Sequence, residues 1–185
     1  MNVKKTALLG LLVVGAVYLS MGAYIHVKAL LAQYLLEKSW QQSKITQQVV
    51  KPWSWADTYP LARLTVQKLG VNLIVLSGAS GRTMAFAPAH VNGTSLPNQQ
   101  GSIVLTGHRD THFRFLQNIK INDKIHLEAM NGGITEYQVV DTQIVHQSHH
   151  ELLQPNQEST LILITCYPFD GIQPNTEWRY VVLAK

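Results

Sequence analysis

The chain has one cysteine in 185 residues, so no internal disulfide can staple it and one thiol, Cys166, is left over. It also lacks a cationic body. The formal charge of +4 comes from Lys4, Lys5, Lys28, Lys38 and Lys44 set against Glu37, whereas residues 45–185 carry ten Lys or Arg and ten Asp or Glu. Nucleic-acid binding, which needs clustered cations to neutralise phosphates, is thereby disfavoured. The Gly-rich stretch Ser77–Gly81 has no Gly-Lys-Ser/Thr after it and opens no helical pattern, so it reads as a turn and not as a phosphate loop. No glutamate stands between His108 and His112, which argues against a zinc helix, and no convergence of carboxylates offers a calcium site. The chain is therefore expected to work without metal or cofactor.

Charge is missing altogether from Thr6 to Val27. A helix of that length, at 1.5 Å per residue, spans about 33 Å, enough for the hydrocarbon core of a bilayer. Residues 1–27 are expected to be a membrane anchor. A cleaved signal peptide would have a shorter apolar region ending in a small-x-small site, and none is clear after Tyr24. Lys4 and Lys5 before the span favour a cytoplasmic N-terminus, with the body on the other side. Residues 28–57 read as a helical stalk. Leu30, Leu31, Tyr34 and Leu35 continue an apolar stripe that gives way to glutamines, and Pro52 ends the segment. Trp53 and Trp55 are available to pack on the domain or to lie at a lipid interface, with packing the better expectation.

After Pro60 the texture is that of short strands. Ala62, Leu64 and Val66 alternate with Arg63, Thr65 and Gln67, and Val71–Leu76 and Ile103–Thr106 are further runs. Ile125, Leu127 and Ala129 lead through Asn131-Gly-Gly133 into Thr135, Tyr137 and Val139, a hairpin that Ile144 and Val145 extend. Leu161–Ile164 and Trp178–Ala184 complete the set. About eight strands with no amphipathic helix of about 12 residues among them indicate an all-β, closed eight-stranded barrel over residues 58–185. About 140 residues beyond the anchor suffice for one domain with a real core.

The residues fit for chemistry fall at strand ends. Cys166 follows a buried run and precedes Pro168, which cannot continue a ladder, so its thiol leaves the sheet where a substrate can reach it. His108 follows the strand ending at Thr106, and Arg179 lies just inside the last strand. A thiolate, an imidazolium and a guanidinium at one barrel mouth make a coherent set for attack on an amide carbonyl. The structural alternatives are a buried cysteine of no function, a turn histidine, and an arginine paired with Glu177 or Asp170. His146, His149 and His150 read as solvated loop residues.

Three segments carry a resemblance: Gly107-His-Arg-Asp-Thr-His-Phe113, Leu163-Ile-Thr-Cys-Tyr-Pro-Phe169 and Trp178-Arg-Tyr-Val181. They closely resemble the sortase family of cysteine transpeptidases. Leu69-Gly-Val-Asn-Leu-Ile-Val-Leu-Ser-Gly-Ala-Ser-Gly-Arg82 is similar to its Gram-negative branch, the class GN sortases. The resemblance spans roughly Tyr59 to Ala184 and implies the sortase barrel. It implies Cys166 as nucleophile, His108 as proton shuttle and Arg179 facing the oxyanion, with Thr165, His90, Arg109 and Tyr167 contacting substrate. The reaction it implies is cleavage of a C-terminal, Leu-Pro-x-Thr-Gly-like sorting signal on a substrate protein and transfer of the acyl group to an amine. The enzyme would be an inner-membrane, periplasm-facing monomer. Two departures stand out: Ile162 replaces the first Thr of the family's Thr-Leu-x-Thr-Cys run, and Ala87-Pro-Ala-His90 replaces Gly-Pro-Gly-His, where glycine would permit positive φ. The rival readings are an L,D-transpeptidase-like enzyme, whose Ser-x-Gly-Cys pattern is absent here, and an idle envelope adaptor that binds peptides by strand addition.

Overall fold

Period-2 alternation sets the architecture. In strand β1 (Pro60–Val66), Ala62, Leu64 and Val66 are fully buried while the residues between them are partly exposed. The computed structural model describes residues 3–149, 159–171, 173 and 176–185. Within them the remaining strands are β2 (Val71–Ser77), β3 (Ala89–His90), β4 (Ser102–Thr106), β5 (Lys124–Ala129), β6 (Ile134–His146), β7 (Thr160–Tyr167) and β8 (Trp178–Ala184). They close a barrel in the order β1-β2-β3-β4-β7-β8-β6-β5. The pairs β2–β3 and β4–β7 are parallel and the others antiparallel. Its interior is filled by Leu64, Ile103, Leu105, Ile125, Leu161 and Leu163, among others.

The Asn131-Gly-Gly133 hairpin turn forms as expected: Gly132 sits at φ +84°, and Asn131 Oδ1 accepts the Gly133 N–H at 3.0 Å. Strand β6 is one continuous element. Its first half pairs with β5 and its second with β8, across a register shift between Val139 and Asp141. Two short elements differ from the sequence reading. Ser80 Oγ accepts the Thr83 N–H at 3.1 Å and so caps a single helical turn, α2 (Gly81–Met84), where a plain turn was expected. The two-residue β3 was not anticipated, because two residues show no period. Neither Ala87 nor Ala89 takes a positive φ, so the alanines in place of glycine leave that turn unstrained.

Helix α1 (Val3–Thr46) is unbroken from the apolar span into the segment expected to be a stalk. It is long and apolar enough to cross a membrane. From Ala32 onward that segment is no spacer. Leu36 and Trp40 are fully buried with Ile74, Leu76 and Ala87 on the barrel's outer surface. Ser39 Oγ donates to Val50 O, and Ser43 Oγ accepts the Val50 N–H. Arg63 bridges Glu37 at 2.6 Å, and Lys44 pairs with Glu128. The polar look of this half hid the docking, because only one narrow stripe of it is buried.

Candidate active site

Strand β7 separates structure from chemistry by parity. Leu161 and Leu163 point into the barrel, whereas Ile162 and Ile164 belong to a cluster on the opposite face with Val104, Val181 and Val145. Cys166 continues that outer row and is half-buried. Strand β8 lies antiparallel beside it with Cys166 opposite Arg179 and Ile164 opposite Val181. On the other side the parallel strand β4 pairs Thr106 with Ile164, and the Gly107 N–H still reaches Ile164 O at 3.3 Å. His108 lies two residues after the last paired residue of β4 and is exposed. Adjacent strands are about 4.8 Å apart, so Cys166 and Arg179 are neighbours across β7 and β8, and His108 leaves the strand on the other side of β7.

Each member is held differently. Thr165 faces inward, 2% exposed, and its Oγ1 donates to Gly107 O at 2.7 Å, tying the strand of the cysteine to the exit of β4. Beyond His108 the chain curls back, with the Phe113 N–H donating to His108 O at 3.0 Å. The Phe113 ring is fully buried against Gly107, where a Cβ would stand 3.0 Å from it. Glycine at 107 is thus required for that close approach. The Arg179 guanidinium donates through Nη1 to Thr176 O and Trp178 O and through Nη2 to Gln147 Oε1 at 2.9 Å. Among the described residues it makes no ion pair with Asp170 or Glu177; Glu177 lies instead 3.7 Å from His146 Nε2.

His112, on the same loop, is half-buried. Burial and the neighbouring His108 charge push its pKa below the ordinary imidazole value, against a hydrogen bond with the Ala85 backbone and the nearby Asp110. His146 stacks edge-on against Trp178 at 5.6 Å, and His149 is exposed; His150 lies outside the described residues.

Thr165, His90, Arg109 and Tyr167, expected to contact substrate, each have structural partners in the fold. Thr165 braces the site from inside. His90 is 3% exposed, its Nε2 bonded to Ser95 O at 2.9 Å and to Thr94 Oγ1 at 3.0 Å, so it holds the loop after β3. Arg109 is 7% exposed and donates to Gly171 O at 2.6 Å and to Gln173 O, which fastens the segment after β7. Tyr167 stacks on Tyr180 at 6.3 Å and meets Phe169 edge-on, closing that end of the barrel. Sequence reasoning missed Gln147 and Thr176, which position Arg179. They are loop residues brought in by tertiary structure, with no local signal. Phe113 did carry a signal, as the last residue of the Gly107–Phe113 segment.

A family model for the sortase domain matches residues 64–185. The chain belongs to the sortase family. Sortase D of Bacillus subtilis (strain 168) is 31% identical over 123 residues, which cover 66% of this chain and 61% of that protein. The chain thus spans about three fifths of that curated relative. Among solved structures, sortase C-1 from Actinomyces oris superposes with a TM-score of 0.60 at 28% identity, covering 68% of this chain and 72% of that one. A Clostridium perfringens Sortase D5 transpeptidase gives a TM-score of 0.67 at 20% identity, covering 84% and 97%; at that identity the likeness is one of fold.

Proposed function

We propose that this sortase is a membrane-anchored cysteine transpeptidase of the Gram-negative class GN type. It cleaves a Leu-Pro-x-Thr-Gly-like signal near the C-terminus of a substrate protein and passes the acyl group to an amine in the cell envelope. The observation that supports the reading is the register that sets Cys166 opposite Arg179; His108, two residues beyond the Thr106–Ile164 pair on the neighbouring strand, is read as joining them. The uncharged stretch Thr6–Val27 anchors the chain in the inner membrane, Lys4 and Lys5 stay in the cytoplasm, and the barrel faces the periplasm.

The chemistry follows from the three groups. The Cys166 thiolate attacks the scissile carbonyl carbon, and the electron pair moves onto oxygen, where the Arg179 guanidinium donates hydrogen bonds. The oxyanion collapses, the C–N bond breaks, and the His108 imidazolium gives its proton to the departing amine. A thioester on Cys166 remains. The acceptor amine then attacks that carbonyl, loses its proton to His108, and releases the thiolate as the new amide forms. The buried cluster of Ile162, Val104 and Val181 underlies the outer row and leaves only Ile164 partly exposed on the approach to the thiol.

Intact-mass measurement tests this. The protein mixed with a sorting-signal peptide should gain the mass of the acyl fragment, and a peptide mimic carrying a vinyl or diazo warhead should label Cys166 alone. Cys166→Ala should gain neither mass, and acylation that survives in that variant removes Cys166 as the nucleophile.

A further inference from the structure

Where α1 leaves the uncharged span, it forms a groove with two loops of the barrel. Lys28, Leu31, Ala32 and Leu35 make one wall, and Trp53, Trp55, Asp57, Arg82 and Phe86 the other, around a hollow of about 400 Å³. Nothing in the transpeptidation reaction uses it. Its floor is apolar and well built: Trp53 meets Phe86 edge-on at 5.2 Å, and Gln33 Nε2 donates to Phe86 O at 2.6 Å, clamping helix to loop. Its rim is different. Trp55 is 83% exposed, and the Arg82 side chain is 80% exposed with only a 3.7 Å contact to Asp57.

We propose that this groove is a phospholipid headgroup site, which takes an anionic phosphodiester between Lys28 and Arg82 while the lipid's acyl chains run back into the bilayer along the span before Lys28 and Trp55 lies against the lipid at the rim. The inference rests on the anchor reading above. Lys28 directly follows Val27, the last residue of the uncharged span, and all the described span residues from Leu8 are exposed. From Lys28 to Leu35 the helix rises about 10 Å, while each headgroup layer of a bilayer is roughly 5–8 Å deep. The groove therefore opens at the level of the headgroups and runs on without a break from the lipid-facing surface of α1. Two cations against the one carboxylate of Asp57 leave it with a positive rim, complementary to a phosphodiester. An exposed indole beside them suits an interface, where its ring stays in the acyl boundary and its N–H in the wet layer. Phe86 leads into Ala87 and β3, so the same contact would fix the barrel's tilt over the membrane.

The test uses the full-length chain in nanodiscs whose brominated lipid is either phosphatidylglycerol or phosphatidylcholine at equal mole fraction. The quenching assigned to Trp55 is the difference between the unsubstituted protein and Trp55→Phe. It should be present with both lipids and about fivefold more effective with brominated phosphatidylglycerol, the size expected for one net basic residue at a surface. Lys28→Gln with Arg82→Gln should erase the preference and leave the quenching. Equal quenching by the two lipids in the unsubstituted protein overturns the headgroup site, and absence of Trp55 quenching overturns the groove. An alkaline wash separates the two readings. A chain released from liposomes sinks the anchor and the groove with it, whereas a retained chain with unquenched Trp55 sinks the groove alone.

Discussion

The two faces of β7 answer to different demands. Inward, Leu161 and Leu163 are fully buried, and even the polar Thr165 spends its hydroxyl on Gly107 O. Outward, Ile162 is still packed against Val104 and Val181, and exposure begins only at Ile164 and Cys166, both half-buried. Side chains one residue apart are thus sorted into a sealed core and a working face. The division teaches that reactivity here is added to a scaffold whose stability does not depend on it. Strand β8 repeats the pattern, with Val182 inside and Arg179 outside.

Substitutions on the two faces should therefore fail in different ways. Cys166→Ala should abolish the acyl-enzyme and turnover while leaving the thermal midpoint near that of the unsubstituted protein, since it removes one sulfur from a surface not packed into the core. Turnover with a lowered midpoint would mean the two faces are not separable. Arg179→Lys keeps the charge but loses the planar fork of donors that Thr176, Trp178 and Gln147 hold in place. Single-turnover acylation should fall about 10²- to 10³-fold, roughly 3 to 4 kcal/mol. On the inner face, Leu163→Ala should cost about 3 kcal/mol of stability by leaving a cavity in the barrel, read as a lower urea midpoint, while the folded fraction still acylates. Arg109→Ala belongs with the inner face despite its charge. It should lose about 2 kcal/mol with the bonds to Gly171 and Gln173 and less than tenfold in acylation rate. A crippled Arg109→Ala beside a near-normal Arg179→Lys would exchange the roles of the two arginines.

Parity within a strand is legible in one sequence, and so were the strands other than the two-residue β3, the Asn131–Gly133 hairpin and the placing of Cys166, His108 and Arg179 near strand ends. Register between strands is not legible. That Cys166 faces Arg179, and that β4 runs parallel beside β7 and sets Thr106 against Ile164, depends on which strands become neighbours, a choice made by the whole barrel. The same limit explains the residues expected to contact substrate. A histidine that anchors a loop, as His90 does, and a histidine that lines a groove are the same letter in the same motif. Only burial and partners separate them. Helix α1 was misread past Ala32 for a related reason, since glutamines and lysines around a stripe of Leu36 and Trp40 look like a solvated stalk until the barrel supplies the other surface.

The smallest expected effect is on pH dependence, and it divides the molecule again. His90, the last residue of β3, and His112, in the loop after β4, both have pKa values below the ordinary imidazole value, in each case chiefly through burial. For His90 the Ser95 backbone bond opposes the shift without reversing it. An unfolded chain protonates both near pH 6.5, so on acidifying below that point the unfolded state binds more protons than the folded one. Stability contributed by keeping them neutral is then present above about pH 6.5 and lost as the pH falls below it. Each group can give at most about 1.4 kcal/mol per pH unit, and solvent near the half-buried His112 keeps it well under that ceiling. Carboxylates act in a separate window. Asp123 is held below its ordinary value by the hydrogen bond from Lys68, so its contribution disappears only at more acid pH. Urea midpoints measured between about pH 7 and pH 5 should fall on acidification in the unsubstituted protein. His90→Gln should flatten that slope more than His112→Gln does, and both together more than either alone. A slope unchanged in the double variant would assign the acid sensitivity to other groups and leave both histidines without a part in it.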